Sequence, residues 1–382
     1  MSRKEIHFGI IGLGLMGKEF GSAVARWCHL LDDGPVPVLT GICDMNEASF
    51  GWFEDNFPSI EVTTTDYQDI LSSDIIDAVY CAVPHNLHEK LYIDIIKSGK
   101  HLLGEKPFGI DIEANKRIMD VIQDSPSVIV KCNSEFPYFP GAKRMIDWIE
   151  GRNFGRLIEV KCGFNHSSDM DLTKPINWKR IIEINGEYGC MGDLGLHTHH
   201  IPLRMGWKPD SVFAELSNIS EQRPDGKGGM AECETWDNAT LMCRCTDPGN
   251  GKSFPMILET KRMSPGDTNT WFIEVYGTGG SARFTTHDPK AFYYLETKGK
   301  EQGWTRVDIG PASFLPTITG GIFEFGFSDS FQQMLGAFMH EFKEGGSDHP
   351  FPNVSPEETV WSHQIMTAAL ESHKTGKRVS LV

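Results

Sequence analysis

Two short segments of this 382-residue chain place together side chains that can hold and move a proton. The first is Gly104-Glu105-Lys106-Pro107, directly after an apolar run at residues 101–104 that reads as a strand. Ligands of open α/β sheets bind at the carboxyl ends of the strands, so an amine at that edge projects into the crevice. A solvated surface lysine is the alternative. The second segment is Asp193-Leu194-Gly195-Leu196-His197. Positions four apart on a helix share a face, which points a carboxylate and an imidazole into the same space. A surface Asp–His pair is the alternative there. His199 and His200 follow, but a zinc site needs three or four convergent ligands, and a His-Thr-His-His run does not present them on one helical face. No catalytic metal is expected. A third segment, Val83-Pro84-His85-Asn86-Leu87-His88, lies where a strand gives way to a helix. Its Pro84, Asn86 and His88 are candidate cofactor neighbours, with a helix-packing role the alternative for His88.

Gly12-Leu13-Gly14-Leu15-Met16-Gly17 is a GxGxxG between a strand and a helix. Its first glycine permits the tight turn, its second lets the backbone approach a pyrophosphate, and its third allows close helix–strand packing. The helix start offers unpaired N–H groups and the positive end of the dipole to phosphate. The second strand ends in Gly41-Ile42-Cys43-Asp44. A carboxylate there accepts hydrogen bonds from the adenosine ribose and repels a 2′-phosphate. Met45, Asn46 and Glu47 follow with no cation, so NAD is favoured over NADP. Asp44 lies further from Gly17 than the usual ~20 residues, and Asp32-Asp33-Gly34-Pro35 reads as an inserted loop that accounts for the excess.

The elements that position these residues follow from periodicity. Strands are expected at residues 6–11, 36–43, 76–82, 101–104 and 127–132, and helices at 16–31, 46–56, 87–97 and 112–123. Strand–helix alternation at this spacing implies a doubly wound parallel sheet, a Rossmann domain. From about residue 155 strands follow one another without long helices: 155–163, 212–219, 235–245, 254–261, 271–276 and 281–286. One helix at 192–205 interrupts them, helices at 331–343 and 357–374 close the chain, and 221–230 reads as a polar loop. The sheet of this second part is expected to be mostly antiparallel. The boundary is placed between residues 132 and 133.

With 36 basic against 52 acidic side chains, the net charge is −16. Nucleic-acid and membrane-surface partners, which need clustered cations, are not expected. Nine scattered cysteines without a CxxC read as buried free thiols of a reducing compartment, the cytoplasm. The run from Phe8 to Met16 after Arg3 and Lys4 is broken by glycines and reads as a first strand and turn rather than a signal peptide.

The chain resembles the glucose–fructose oxidoreductase / inositol dehydrogenase / MocA family over nearly its whole length. The resemblance is carried by the glycine motif, by Val83 to His88, by GEKP, by Asn177-Trp178-Lys179 ahead of DLGLH, by Val275-Tyr276-Gly277-Thr278-Gly279-Gly280, and by a C-terminal stretch beginning Ser355-Pro356-Glu357-Glu358. It implies that Lys106, Asp193 and His197 form the catalytic group around a reacting hydroxyl. It also implies that the dinucleotide site comprises Gly12, Gly14, Leu15, Met16, Gly17, Asp44, Pro84, Asn86, His88, Glu105 and Lys106. Asn133, Trp178, Lys179, Asp193 and His197 would line the substrate pocket, with the second domain, an α/β domain with a large open sheet, also serving a homodimer or homotetramer. The sequence departs from the family at Asn133-Ser134-Glu135, where an Arg often follows the Asn, at Lys179, often Arg, and at His200, often Asp. These differences bear on which substrate fits.

Hydride transfer from a C–H requires the hydroxyl proton to leave as well. An imidazole with an ordinary pKa near ~6.5 suits that task, and a lysine stabilises the oxyanion or, if burial lowers it from ~10.4 towards ~7–8, acts as base itself. The expected activity is an NAD-dependent dehydrogenase acting on a sugar, sugar derivative or cyclic polyol such as an inositol. A redox-neutral NAD-dependent glycosidase and a non-catalytic nucleotide sensor are the alternatives on the same fold.

Overall fold

A computed structural model describes residues 3–310, 312–320 and 322–381. In chain order the first elements are β1 (Glu5–Ile11), α1 (Leu15–Ala25), β2 (Val36–Cys43), α2 (Phe50–Asn56), β3 (Val62–Thr64), α3 (Tyr67–Ser72), β4 (Ala78–Cys81), α4 (His88–Lys97), β5 (His101–Gly104), α5 (Ile112–Gln123) and β6 (Val130–Cys132). Then come α6 (Pro140–Glu150), β7 (Leu157–Asn165), α7 (Ile182–Asn185), α8 (Cys190–Arg204), β8 (Pro209–Ser217), β9 (Gln222–Pro224), β10 (Met230–Glu232), β11 (Asn238–Thr246) and β12 (Ser253–Lys261). The last are β13 (Thr270–Gly277), β14 (Gly280–Thr285), β15 (Ala291–Glu296), β16 (Thr305–Asp308), α9 (Phe327–His340), α10 (Pro356–Thr375) and β17 (Val379–Ser380).

The chain divides into two compact units, and neither is a single stretch. One comprises Met1–Gly109, Glu113–Tyr138 and Pro311–Pro356, the other Ile110–Ile112, Phe139–Gly310 and Glu357–Val382. A single cut between residues 132 and 133 therefore does not describe the division, because the segment from 311 to 356 returns to the first unit.

The first unit is built on a six-stranded sheet in the order β3-β2-β1-β4-β5-β6, parallel throughout. That is the doubly wound order in which the chain reverses direction between β1 and β4. On one face Phe8 of β1 meets Phe20 of α1 at 5.2 Å and Phe338 of α9 at 6.2 Å. Tyr80 of β4 stacks on Phe20 at 4.4 Å and meets Phe331 of α9 edge-on. On the other face Gly9 and Gly41 leave room for Ile70 of α3 and for Ile76: a Cβ at Gly9 would come 2.7 Å from Ile70, and one at Gly41 2.6 Å from Ile76. The sheet reads as continuous apolar runs because both faces are covered.

The helix expected to reach residue 31 ends at Ala25. Arg26 turns out to α9, where it donates to Asp329 Oδ1 at 3.0 Å and Ser328 O at 2.8 Å. Trp27–His29 then tighten into a 3-10 turn that buries Trp27. Periodicity also missed α3 and β3, which are short, and α6, whose buried Ala142, Met145, Ile146 and Ile149 do follow a helical spacing. The expected loop at 221–230 is framed by the antiparallel pair β9 and β10.

Asp32 is tied to the end of α9. His340 sits between Asp32 Oδ1 at 3.1 Å and Asp348 Oδ1 at 2.6 Å, with Lys343 3.2 Å from Asp348 and Arg3 4.0 Å from Asp32. His349 packs edge-on against the His340 ring at 5.3 Å.

The second unit holds a nine-stranded sheet, β16-β15-β14-β13-β7-β12-β11-β8-β17. Only β7 and β12 pair in parallel, so the sheet is mostly antiparallel. Side chains alternate in and out with period two. Val212, Ala214, Leu216, Phe254, Met256 and Leu258 are buried on the side that carries α8 and α6. The other side presents Ile158, Phe213 and Met242, between a third and just over half exposed. Helix α10 lies against α8, with Glu358 paired to Arg204 at 2.8 Å and Ser362 to His199 at 2.9 Å. Among the described residues no helix is long and apolar enough to cross a membrane.

Candidate active site

In the first unit the three glycines of the β1–α1 turn separate by what a side chain would meet. Gly12 has φ of 96°, and a Cβ there would come 2.3 Å from Ala82 O. A Cβ at Gly17 would come 2.2 Å from Gly12 O, the close approach of helix to turn. Gly14 has nothing within 4 Å. It is the N-cap of α1 and brings no side-chain acceptor, and the first turn holds no acid. The leading N–H groups of α1 and its dipole thus face open space, with Leu15 83% exposed and Met16 half-buried beside them. These residues fit a dinucleotide pyrophosphate. Asp44 is fixed in the same turn: Oδ2 accepts from Leu13 N at 2.8 Å and Oδ1 from Asn46 N at 2.8 Å.

Beyond β4, Pro84 leads into the 3-10 turn His85–Leu87, where Asn86 is exposed. His88 is fully buried. Its Nε2 lies 2.9 Å from Val83 O and its ring stacks on Tyr92 at 4.8 Å, so it braces the turn from behind. Tyr92 in turn donates to Glu105 O at 2.6 Å.

The GEKP turn is held at Glu105, the residue before its lysine. Glu105 N donates to Cys81 O at 3.1 Å. Its carboxylate accepts from Tyr80 OH at 2.7 Å and from Asn133 Nδ2. Asn133 N donates to Gly104 O at 2.8 Å, which aligns the residues after β5 and β6. The peptide between Lys106 and Pro107 is cis, and Lys106 itself is half-buried. Glu135, only 3% exposed, lies on the same edge. Burial, reinforced by the charge of Glu105, pushes its carboxyl up to about 8 against the pull of Lys106, with Glu19 of α1 adding further repulsion. Burial likewise pushes the Tyr80 phenol far up.

In the second unit, α8 starts after Gly189, whose φ is 58° and whose Cβ would come 2.6 Å from Trp236 N. Asp193 stands in the first turn, where the helix dipole favours an acid. Its Oδ2 accepts from Lys179 Nζ at 2.8 Å, and Arg262 Nε stands 3.5 Å away. His197 lies one turn on. Trp271 Nε1 donates to its backbone oxygen at 2.8 Å, and its ring meets Phe164 edge-on at 5.4 Å. Trp178 precedes Lys179, whose amine is 5.8 Å from the indole centroid. Burial pushes His199 down to about 3, and burial with the nearby Arg204 charge pushes His200 well below its ordinary value, so both serve as neutral packing groups. Among the described residues no three His, Cys, Asp or Glu side chains are grouped to hold a metal.

Below the Trp178–Lys179 turn lie buried arginines. Arg180 is paired with Asp237 and Asp169, and Arg223 Nη1 donates to Asp171 O at 2.8 Å. Sequence reasoning missed these, and also Arg262, Tyr80, Tyr92 and Glu135 as members of the two sites. Arg262 had a readable signal: the inward series 254, 256, 258, 260 of β12 continues to 262, a cation at an inward position.

Each unit matches a known sequence family. Residues 6–131 match the oxidoreductase family with an NAD-binding Rossmann fold, and residues 142–283 match the GFO/IDH/MocA C-terminal domain. Levoglucosan dehydrogenase of Pseudarthrobacter phenanthrenivorans is 24% identical over 325 residues, 81% of each chain. Inositol 2-dehydrogenase of Corynebacterium glutamicum is 25% identical over 238 residues, 56% of this chain and 65% of that one. A solved levoglucosan dehydrogenase in complex with NADH and levoglucosan superposes with a TM-score of 0.86 at 24% identity, covering 99% of this chain and 100% of that one.

Proposed function

From its membership of the GFO/IDH/MocA oxidoreductase family, to which this chain belongs, we propose that it moves a hydride between NAD(H) and a hydroxyl-bearing carbon of a sugar, sugar derivative or cyclic polyol. The observation that carries the reading is the GEKP turn. Three hydrogen bonds fasten Glu105 by its carbonyl and carboxylate, and the next side chain offers an amine at the carboxyl edge of the sheet.

The N-terminus of α1 with Gly12, Gly14, Leu15, Met16 and Gly17 would hold the pyrophosphate, and Asp44 the adenosine ribose. Pro84, Asn86, Glu105 and Lys106 belong to the turns nearest the nicotinamide, with His88 bracing them. The bound nicotinamide supplies the hydride acceptor. Lys106 stabilises the oxygen as its proton leaves, and His197 takes that proton. Asp193 and Lys179 hold neighbouring hydroxyls, Trp178 offers a ring face to a pyranose or cyclitol, and Asn133 keeps Glu105 in place. The relatives named for levoglucosan and inositol support a cyclic polyhydroxylated substrate. The nine free thiols support a reducing, cytoplasmic setting. The open sheet face supports a homo-oligomer.

The test is a panel of cyclic sugars and inositols with NAD, followed at 340 nm, alongside Lys106→Ala and His197→Ala. Each substitution is expected to lower kcat/KM by ~10²–10⁴, the usual cost of a lost acid–base group. Turnover that survives both would remove the catalytic assignment. Release of sugar without net NADH would instead favour the redox-neutral glycosidase.

A further inference from the structure

Arg262 follows β12 at an inward position, and its side chain is 2% exposed. Its Nη1 donates to Lys179 O at 3.0 Å and Thr235 Oγ1 at 3.4 Å. Its Nη2 donates to Asn185 Oδ1 and to Gly189 O, both at 3.3 Å. One buried cation thus ties the end of β12 to the Trp178–Lys179 turn, to the end of α7 and to the residue that caps α8. A buried guanidinium is costly unless its donors are satisfied. One donor is left over: Nε has no hydrogen-bond partner, and it stands 3.5 Å from Asp193 Oδ2.

That oxygen is held from the other side by Lys179 Nζ at 2.8 Å, on a side chain 39% exposed. The Asp193 carboxylate therefore stands between two unlike cations. Arg262 is planar, buried and pinned by four acceptors. Lys179 is a point charge on a flexible stem that reaches water. Anything that displaces one of them from Asp193 displaces Lys179.

We propose that Arg262 is a positioning residue that acts through Asp193: when a substrate hydroxyl takes the place of the Lys179 amine, the guanidinium keeps the carboxylate where it is, so that Asp193 and the released Lys179 grip adjacent hydroxyls. No covalent bond changes; hydrogen bonds are exchanged, and the Nε donor gains Asp193 as its acceptor. This deepens the proposed function and rests on its assignment of Asp193 and Lys179 to the substrate.

The experiment compares Arg262→Gln and Arg262→Lys, each alone and in an Asp193→Asn background. Arg262→Gln is expected to raise KM for the sugar by about 10–100-fold, the scale of a lost hydrogen bond to a charged group. The KM for NAD and the alkaline and acid limbs of the pH profile stay in place. Arg262→Lys, which keeps the charge without the fork, recovers part of the loss and serves as the reading if the Gln variant does not fold. In the Asp193→Asn background the same Arg262 change is expected to cost less than about threefold, because coupled residues are not additive. An equal loss in both backgrounds, or a lowered melting temperature with unchanged KM, would overturn the inference and leave Arg262 a stabilising residue. If Asp193→Asn alone changes neither KM nor kcat, the substrate assignment itself falls, and the inference with it.

Discussion

Glu135 shows how one side chain is governed by its neighbours rather than by its type. It is buried on the edge where Glu105 already carries a charge, and two buried carboxylates side by side do not both ionise readily. With its carboxyl pushed up to about 8 by burial and by Glu105, Glu135 is mostly a neutral acid at pH 7. Between the ordinary carboxyl value and about 8 the folded protein holds a proton that the unfolded chain gives up. Stability therefore falls as pH climbs through that window and levels off above it. Glu135→Gln keeps the shape without the proton. Thermal melts should coincide with the parent near pH 4 and lie several degrees higher at pH 9, at about 2–4 °C per kcal/mol for a domain of this size. A parallel shift at both pH values would refute the account. Lys106, Asp44, Asp193 and His197 could be named as candidates from local type and spacing. Glu135, Tyr80 and Tyr92 were not, because their partners are set by which strands lie side by side. That pairing is a long-range fact absent from any short window.

At the scale of elements, α9 depends on a charged clasp. Burial alone would lower the His340 pKa, but the hydrogen bond to Asp32 and its charge outweigh burial and raise it. The same pair holds Asp32 below its usual range, against its own burial. A raised histidine contributes stability that is complete below ~6.5 and is lost as pH rises through its folded value. A lowered aspartate contributes above ~3.9 and is lost as pH falls through its folded value. The clasp is therefore strongest between these limits. His340→Gln should lower the melting temperature most at mildly acidic pH, with the gap to the parent narrowing toward pH 9 in a calorimetric series. A gap that widens with pH would contradict this. The loop holding Asp32 drew notice as an excess of length between Gly17 and Asp44, but its partner, some three hundred residues on, was not legible.

At the scale of the whole molecule, the alternation of strands with helices gave way to consecutive strands, and that change marked the two sheets correctly. What it did not show was the return of residues 311–356 to the first unit, since α9 is buried on nearly every face from Ser330 to His340, polar side chains included, and its pattern names no partner. The second sheet leaves Ile158, Phe213 and Met242 toward solvent, the face proposed to join copies of the chain. Ile158→Glu combined with Met242→Glu should convert a homo-oligomer to monomer by light scattering; an unchanged mass would show that the contact lies elsewhere. The returning segment has a consequence for how the molecule is made. Phe8 and Tyr80 lie under Phe338 and Phe331, so the sheet translated first must wait on the ribosome with that face uncovered until residues 331–338 have been made. Synthesis from the N-terminus thus makes β7 to β16 of the later unit before the earlier unit is sealed, and the nascent nucleotide-binding half is the part most in need of a chaperone.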